Sequence, residues 1–537
     1  MAALNLKTPS QFEIDNPEVE TNPNELRHWI SHLPYTDTNA VIEEVTHAIT
    51  DLNKQKVPAQ IRLTLLDIYN EPVNFVIKAM EEDYLRAHRR PTDRKGLRDK
   101  MAITMFNALS LGYKMAVIDT INQKKLWGQD KLLALAIQRS IRALSQLTII
   151  HFLTYTEITT GVWNEIYQLY TYAEEKKLTD ILIKEIDNKE ISPAICFKQI
   201  VLSGLIGAYG FRPAEIISIY RYLGNHARSA RLTAVKKAPD PYGHFVVNLR
   251  SDDRAYPYAQ LREFREMEHW RMINTEELLI TIIHDIKSLR KGKKPSSIGF
   301  TTIHSVNRCI ELLKHLHVSW GTAAMRHYRR EDATGNVNIV NGLKAVYYFL
   351  NGEKSFNPEK YAEPVDDNKI DLTNYSSSFT RCNDTTFPKS NFNLLNISEG
   401  GIAIQTPITE KLPLQIGQLI GIETSANKWH LGVVRWFHKK EHQGLEAGIQ
   451  YLTKDAMAVA VRTSVGDKIE TEFREGVMFT RTDTESKTET NVLLVPTGLY
   501  KPERQLKVDL GNRIIDVVTQ GLIESSHHFD QISVRIK

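Results

Sequence analysis

The first half of the chain carries apolar residues at helical spacing. From about residue 24 to residue 236, hydrophobic side chains recur every three or four positions, which is the period of one face of an α-helix. The stretches LRDKMAITMFNALSLGYKMAVIDTI and VWNEIYQLYTYAEEKKL are clear examples. Long helices with short connections predict antiparallel pairs, with an irregular solenoid as one arrangement. No repeat of fixed length is present, so no named repeat class is indicated.

Two further helices follow a short strand-like piece, HFVVNLRS. Apolar stripes predict one helix over 275–289, ended by a basic stretch with a glycine and a proline. The other is predicted to begin at Thr301 or Thr302, where a threonine can cap it. Its helical pattern stops at about Trp320.

Beyond residue 320 the period falls to two, which is typical of strands with one buried face. VNIVNGLKAVYYFL predicts a strand, a glycine turn, and then a strand or the start of a helix. A polar stretch at 351–391 is interpreted as a long exposed insertion. Five strand candidates then predict a small barrel or sandwich, namely FNLLNI, GIAIQT, LIGIET, WHLGVVRWF and LEAGIQYL. A second short all-β unit is predicted from GVMFTRT, NVLLVP, QLKVDL, RIIDVV and QISVRIK.

Helices first and strands afterwards indicate separate domains, so the fold class is multidomain, α and then β. The predicted limits are an irregular arm at 1–25, a helical domain at 26–320 with a break near 236–256, a β-domain at 321–465 with the insertion at 351–391, and a small β-domain at 466–537.

Composition is that of a soluble globular protein, with 42% hydrophobic and 25% charged residues among 537. The net charge of +4 fits a local anion site better than a surface built for DNA. Cys196, Cys309 and Cys382 lie far apart without a C-x-x-C pair. That spacing favours neither a disulfide framework nor a zinc site, and a reducing cytoplasm is expected. Neither a signal peptide nor a transmembrane segment is expected.

Arginines cluster in MRHYRRED, where Arg326 and Arg330 form an R-x-x-x-R arrangement with Arg329 between them. The planar fork of a guanidinium suits phosphate and the Hoogsteen edge of guanine, because it donates two parallel hydrogen bonds. Such a segment could wrap an anionic ligand that contains bases. Taken alone, the segment is more typical of a solvated basic linker between domains, since charge runs are common on surfaces.

The stretch LLNISEGGIAIQ, residues 394–405, has two hydrophobic runs around N-x-S-x-x-G. Asn396 and Ser398 are short polar side chains able to bond backbone or a base edge. Gly400 and Gly401 allow backbone conformations closed to most residues. Alone, this pattern predicts a hairpin connection.

Taken together, the R-x-x-x-R segment, a strand, N-x-S-x-x-G and the strand series resemble the PilZ domain, a small six-stranded β-barrel that is a receptor for cyclic di-GMP. IGQLIGIE and WHLGVVRWF resemble later strands of that family, and LEAGIQYLTKDAMAVAVR resembles its last strand leading into a helix. The interval between Arg330 and Asn396 exceeds the family's usual spacing, and the insertion at 351–391 accounts for it.

The resemblance implies roles for individual residues. Arg326 and Arg330 would bind the phosphates and guanine faces, with Arg329 assisting. Asn396 and Ser398 would meet a guanine edge, and Gly401 would keep the turn open. The ligand would be cyclic di-GMP, with no further cofactor and no metal.

The expected function is a cytoplasmic bacterial effector that couples cyclic di-GMP binding to an unidentified protein partner through the helical region. The alternative is a PilZ-like scaffold for surface-appendage machinery that binds no ligand. A third interpretation is a nucleic-acid binder using the basic run at 85–100, which is otherwise a solvated interhelical loop.

Other chemistry has little support in the sequence. His430, His438 and His442 lack acidic or cysteine partners at metal-binding spacing. The chain has no G-x-x-x-x-G-K-[ST], G-x-S-x-G or H-E-x-x-H motif. No catalytic residues are therefore predicted, and the protein is expected not to be an enzyme.

Overall fold

A computed structural model gives the fold of most of the chain. It describes residues 4–13, 19–86, 93–123, 128–185, 189–235, 237, 240–261, 267–300, 305–322, 329–361, 386–406, 414–425, 428–440, 444–465, 468–469, 472–482, 488–526 and 528–537. Contacts divide the chain into two compact units, residues 1–325 and 326–537.

The first unit is mainly helical, as predicted. Its helices are α1 (Pro23–Ser31), α2 (Thr38–Lys54), α3 (Ala59–Arg86), α4 (Asp93–Asn122), α5 (Gln129–Thr154), α6 (Val162–Glu175), α7 (Pro193–Leu205), α8 (Pro213–His226), α9 (Glu276–Arg290) and α10 (Val306–Gly321). Helices α4 and α5 pack against each other at the centre, and α2, α3, α6 and α7 pack around them. One continuous hydrophobic core results.

Several helix ends follow directly from local sequence. Asp37 accepts hydrogen bonds from the first backbone amides of α2, and Ser192 does so for α7, where Pro193 occupies the first position. The predicted threonine cap of α10 is wrong. Ser305 is the capping residue, its Oγ accepting from the Arg308 amide at 3.2 Å. The candidates Thr301 and Thr302 lie outside the described residues.

A small sheet lies within the helical unit. Strands β1 (Ile183–Lys184) and β2 (Glu190–Ile191) form a short hairpin, and a four-stranded antiparallel sheet follows. That sheet contains β3 (Arg231–Ala234), β4 (His244–Asn248), β5 (Tyr256–Pro257) and β6 (Trp270–Asn274). Only β4 was recognised in the sequence, because it alone is continuously apolar and buried over most of its length.

Among the residues that the structure describes, one helix meets the length and apolarity of a membrane span. It covers Gly96–Asn122 within α4, and 67% of its most apolar window is buried inside the unit. That burial is what a central helix of a packed domain requires. Two of the three cysteines, Cys196 and Cys309, are also buried, and Cys382 lies outside the described residues.

The second unit begins with a closed barrel. Its elements are β7 (Glu331–Asp332), β8 (Asn336–Asn341), α11 (Leu343–Leu350), β9 (Ser390–Ser398), β10 (Gly401–Gln405), β11 (Leu419–Ser425), β12 (Lys428–Lys440) and β13 (Gly444–Thr453). The order β8-β9-β10-β13-β12-β11 closes on itself because β11 also pairs with β8. This confirms the six-stranded barrel that the resemblance implied.

A second closed barrel completes the chain. It contains β14 (Met457–Val465), β15 (Lys468–Ile469), β16 (Arg474–Thr482), β17 (Glu489–Val495), β18 (Gln505–Asp509), β19 (Ile514–Ser525) and β20 (Asp530–Ile536). Six strands close in the order β14-β16-β17-β20-β19-β18, and β14 pairs with β18. All five strands predicted in this region are present.

The helix expected after LEAGIQYL is wrong. Residues 457–465 form β14, which pairs with β16 and with β18 and so belongs to the second barrel. Val459 and Val461 face the buried core of that barrel, and Met457 is exposed. Two-residue alternation of β-branched side chains is a strand pattern, and it overrides the expectation taken from the resemblance.

Helix α11 joins the two barrels through a shared core. Val346 and Phe349 pack with Leu419 and Trp429 of the first barrel and with Phe479 and other residues of the second. The described beginning of the insertion is mostly exposed but is anchored at its end. The Tyr361 hydroxyl donates to Asp509 Oδ2 of the second barrel at 2.7 Å.

Candidate ligand-binding site

The N-x-S-x-x-G stretch is a hairpin between β9 and β10, as its pattern predicts. Ser398 pairs with Gly401 and Asn396 with Ala403, so Glu399 and Gly400 form the two-residue connection. The Ser398 hydroxyl donates to the Gly401 carbonyl at 3.2 Å. This hydrogen bond stabilises the turn, and Ser398 is the last residue of β9 before the connection.

Gly401 allows a close approach between two strands. Its φ is +157°, and a Cβ atom placed there would lie 2.0 Å from the Ile449 carbonyl oxygen of β13. The Tyr451 amide donates to the Gly400 carbonyl at 2.9 Å, which holds β13 against the turn. Only a glycine fits this position, so the hairpin end can lie flat against the barrel wall.

A cavity of about 260 Å³ opens beside this hairpin. Four of the six residues predicted to bind the ligand line it: Arg330, Asn396, Ser398 and Gly401. Arg435 and Trp436 of β12, two strands from β10 in the barrel, also line it. This first-barrel cavity brings together residues that lie more than sixty positions apart in the sequence.

Strand β7 explains why the arginine segment reaches the cavity. Glu331 pairs with Ile397 and Asp332 pairs with Asn396, so Arg330, the residue just before β7, lies beside the N-x-S turn. Arg330 lines the cavity, and Arg329 is described and exposed but is not part of the lining. Arg326 lies outside the described residues.

Sequence reasoning missed Arg435, although it treated WHLGVVRWF as a strand. The Arg435 guanidinium donates in a bidentate manner to Glu524 of β19, at 2.6 and 2.8 Å, and its Nε donates to Gln450 at 2.7 Å. Glu524 lies 89 residues further along the chain. The one sequence signal was an arginine inside an otherwise hydrophobic strand, and its partner could not be inferred from local pattern.

Trp436 was also missed as a cavity residue. Its indole lies over Gly448 of the neighbouring strand, where an added Cβ would be 1.8 Å from the indole Nε1. An aromatic ring over a glycine leaves a flat apolar surface inside a polar cavity. A glycine in the middle of a strand was the available signal, since such a glycine often marks a close approach.

The arrangement has the chemistry of an oxyanion and heterocycle site. Arg330 and Arg435 offer guanidinium forks for phosphate oxygens. Asn396 and Ser398 offer donors and acceptors for a base edge, and Trp436 offers a stacking surface. Glu524 reduces the net positive charge of the cavity, because its carboxylate forms an ion pair with Arg435.

Metal chemistry receives no support from the residues that the structure describes. Within them, no group of three or more His, Cys, Asp or Glu side chains is arranged to hold an ion. His430 packs edge-on against Tyr451, and burial, with help from Lys454 and Lys428, lowers its pKa. His442 lies outside the described residues.

The basic run at 85–100 is only partly a loop. Residues 87–92 lie outside the described part, but α4 begins at Asp93, so the loop interpretation is wrong from there on. Arg98 pairs with Asp83 and donates to the Asn39 side chain at 2.8 Å. Its charge is therefore engaged within the helical unit.

Comparisons with known proteins identify related sequences over most of the chain. A family model described as the N-terminal domain of the cyclic-di-GMP receptor FimW matches residues 24–239. A second, described as the middle PilZ domain of the same receptor, matches residues 244–369 and 358–457. The cyclic-di-GMP receptor FimW of Pseudomonas aeruginosa is 22% identical over 502 residues, covering 84% of this chain and 81% of that protein. No solved structure matches the chain.

Proposed function

Because the two family models match residues 24–239 and 244–457, the chain belongs to the FimW family of PilZ-domain proteins, and we propose that its first-barrel cavity binds cyclic di-GMP. The observation that carries this proposal is the convergence of Arg330, Asn396 and Ser398 on one cavity. Those side chains come from two separate motifs, and a plain hairpin beside a solvated linker would not need them to meet.

Each residue has a chemical role in the proposed complex. Arg330 binds a phosphate and stacks on a guanine face, and Arg326 and Arg329 contribute further guanidinium groups from the same segment. Asn396 and Ser398 bond a guanine edge. Gly401 lets the turn lie close enough to β13 for the base to enter.

Arg435 and Trp436 extend this set. A ligand with two phosphates needs more than one compensating cation, and Arg435 brings a further guanidinium to the cavity from β12. The cavity volume of about 260 Å³ is just under the usual range for small-molecule sites. In this proposal one guanine of the ligand occupies the cavity. The rest of the ligand lies outside it, over the exposed Arg329 and Arg330.

Binding acts through the segment that joins the two units. Residues 321–336 connect the helical unit to β8, and the proposed phosphate contacts lie within that connection. A ligand changes the equilibrium between two arrangements only through different affinities for them. In this proposal the bound nucleotide favours one arrangement, and the helical unit presents a surface to a protein partner in the cytoplasm. The chain acts as a binding protein and not as an enzyme.

Isothermal titration calorimetry with cyclic di-GMP tests the proposal. The wild-type chain is expected to bind, and Arg326→Ala with Arg330→Ala is expected to lose at least about tenfold in affinity, because charge-assisted hydrogen bonds are lost. Arg481→Ala, an exposed arginine on β16 of the second barrel, is the matched control and should bind like the wild type.

Two outcomes would contradict it: no heat with the wild-type chain, or equal affinity for the double variant and the control. Either would favour a scaffold whose barrel holds no ligand, an alternative consistent with the neutralisation of Arg435 by Glu524. Partner capture from lysate that is indifferent to the nucleotide would point the same way.

A further inference from the structure

A second polar cavity lies inside the helical unit and has no part in the proposed nucleotide site. Its volume is about 720 Å³, within the range of small-molecule sites. Side chains from α3, α4, α5, α7 and α8 form its walls, together with residues next to the β1–β2 hairpin. We call it the helical cavity and define it by Asp67, Arg139, Arg142, Glu185, Lys189 and Arg221.

A preorganised ion network forms the floor of the helical cavity. Arg139 Nε donates to Asp67 Oδ1 at 3.0 Å and Arg139 Nη1 to Glu185 Oε1 at 2.5 Å. The Tyr113 hydroxyl donates to the same Asp67 oxygen at 2.9 Å. Burial raises the pKa of the Cys196 thiol to about 11, so that lining group stays neutral. The floor is thus fixed before any ligand arrives.

Three further cationic side chains of the helical cavity are partly exposed to solvent. Arg142 Nη1 lies 2.9 Å from Glu185 Oε2, yet 41% of the Arg142 side chain is exposed. Lys189 and Arg221 are exposed at the rim, where Arg221 pairs with Glu81. Four cationic side chains therefore line the cavity against the carboxylates of Asp67 and Glu185. Even with Glu81 included, positive charge exceeds negative charge.

Purely structural ion pairs in the same unit look different. Lys114 and Glu165 pair at 2.8 Å with only 3% and 10% of their side chains exposed. Arg62 is fully buried and donates to the Leu52 and Gln55 carbonyls. These groups are closed to solvent, whereas Arg142 faces an open recess. Arg142 therefore stays within reach of a ligand in the 720 Å³ cavity although it pairs with Glu185.

Amide side chains supply the remaining polar lining. Asn70 and Gln199 are held in place, since Asn70 Nδ2 donates to the Tyr113 hydroxyl at 3.0 Å and Gln199 Nε2 to the Tyr220 carbonyl at 2.9 Å. Asn74, Gln146 and Asn225 also line the cavity. Amides both donate and accept, so they suit sugar hydroxyls or the edge of a heterocycle.

We propose that the helical cavity is a second ligand site, for a small phosphate monoester with a hydroxylated body, such as a sugar phosphate or a mononucleotide. Arg142 and Arg221 supply guanidinium groups and Lys189 an ammonium group, a set that suits a dianionic phosphate. The amides then bind the hydroxylated or heterocyclic part of the molecule. This proposal does not depend on cyclic di-GMP binding in the first barrel.

Thermal unfolding of the full-length chain tests the proposal. Glucose 6-phosphate and guanosine 5′-monophosphate are compared with glucose and guanosine, in a background of Arg330→Ala and at matched ionic strength. At least one phosphate ester is expected to raise the unfolding temperature saturably, since a ligand that binds only the folded state stabilises it. Its uncharged counterpart should not. The ester that stabilises distinguishes a sugar source from a nucleotide source.

Variants locate the effect. Arg142→Gln should weaken binding of the stabilising ester by about tenfold or more, and its cyclic di-GMP affinity in the otherwise wild-type chain should be unchanged. Arg290→Gln, an exposed arginine at the end of α9, is the matched control. If Arg142→Gln fails to fold, hydrogen exchange of the wild type decides, with added protection expected in α5 and α8.

The proposal is overturned if neither ester shifts the unfolding temperature more than sodium chloride of equal ionic strength. It is also overturned if Arg142→Gln and Arg290→Gln bind alike, or if the stabilising ester adds no protection in α5 and α8. None of these results bears on the first-barrel cavity, because the background already lacks Arg330.

Discussion

The two barrels of the second unit are closed in the same way and differ in chemistry. Each has six antiparallel strands, and the pairing of β8 with β11 closes the first barrel as that of β14 with β18 closes the second. The first barrel carries a cavity lined by arginines, Asn396, Ser398 and an indole. The second barrel is filled by an aliphatic cluster that includes Val461, Leu493 and Ile532. The two barrels therefore share strand number and closure, and the side chains that line the first-barrel cavity distinguish them.

The two barrels also differ in how closely their glycines approach neighbouring atoms. In the first barrel, Gly401 and Gly448 lie where a side chain would collide with a carbonyl or an indole ring. In the second barrel, a Cβ at Gly521 would lie 3.2 Å from the Ser533 hydroxyl oxygen. The first barrel thus depends on close backbone approaches around its cavity, and at Gly521 the second does not.

The largest predicted effect is on stability. Gly401→Ala should destabilise the second unit by at least about 3 kcal/mol, because the new methyl group meets the Ile449 carbonyl and not a mobile side chain. Gly521→Ala should cost less than about 1 kcal/mol, because Ser533 can move. Equilibrium denaturation monitored by tryptophan fluorescence measures both. Equal losses in the two variants would mean that the barrels do not differ in this way.

The next effect concerns recognition. Asn396→Ala with Ser398→Ala should reduce cyclic di-GMP affinity by about tenfold or more, since bonds to the base edge are lost. Asn491→Ala on β17 of the second barrel is the matched control, where Asn491 forms a cross-strand pair with Thr480. Calorimetry on both variants provides the comparison. Full affinity in the double variant would remove these residues from the site.

Local sequence patterns predicted most of the β-architecture of the second unit and four of the residues that line the first-barrel cavity. Alternation identified the strands because each has one buried face, and N-x-S-x-x-G identified its hairpin because turn chemistry is local. Arg435 escaped because its partner Glu524 is distant in the chain. The helical cavity escaped because its lining comes from five helices, and no local spacing encodes their meeting. Residues 457–465 were misassigned because family resemblance was preferred to the alternation of Val459 and Val461.

A pH-dependent effect is predicted in the second barrel. Burial works to raise the pKa of Asp509, but hydrogen bonds from Tyr361, Gly511 and Lys360 outweigh it and the pKa is lowered. A carboxylate with a lowered folded pKa contributes stability above its unfolded pKa, about 3.8, and loses it as pH falls through the folded value.

Tyr361→Phe removes one of those hydrogen bonds. It should cost about 1 kcal/mol at pH 7, and the difference from wild type should shrink below about pH 4 as Asp509 is protonated. Urea denaturation at several pH values measures this. Tyr500→Phe, within the same barrel, is the control. No loss at any pH would mean that Tyr361 acts through packing on Phe473 alone, because phenylalanine keeps that ring contact.

The smallest predicted effect connects the barrels directly. Glu524 on β19 neutralises Arg435 at the first-barrel cavity, and its carboxylate repels incoming phosphates. Glu524→Gln should therefore raise cyclic di-GMP affinity by about threefold, since the pair is partly exposed and screened. Arg435→Gln should lower this affinity, and Glu489→Gln, which alters an exposed carboxylate on β17, should leave it unchanged.

Because the effect is electrostatic, the gain in Glu524→Gln should fall as salt rises from 50 to 500 mM. A gain that is independent of salt would assign Glu524 a role in holding β12 in place. A loss of affinity would mean that the carboxylate orients Arg435 for the ligand, and the second barrel would then be part of the binding site.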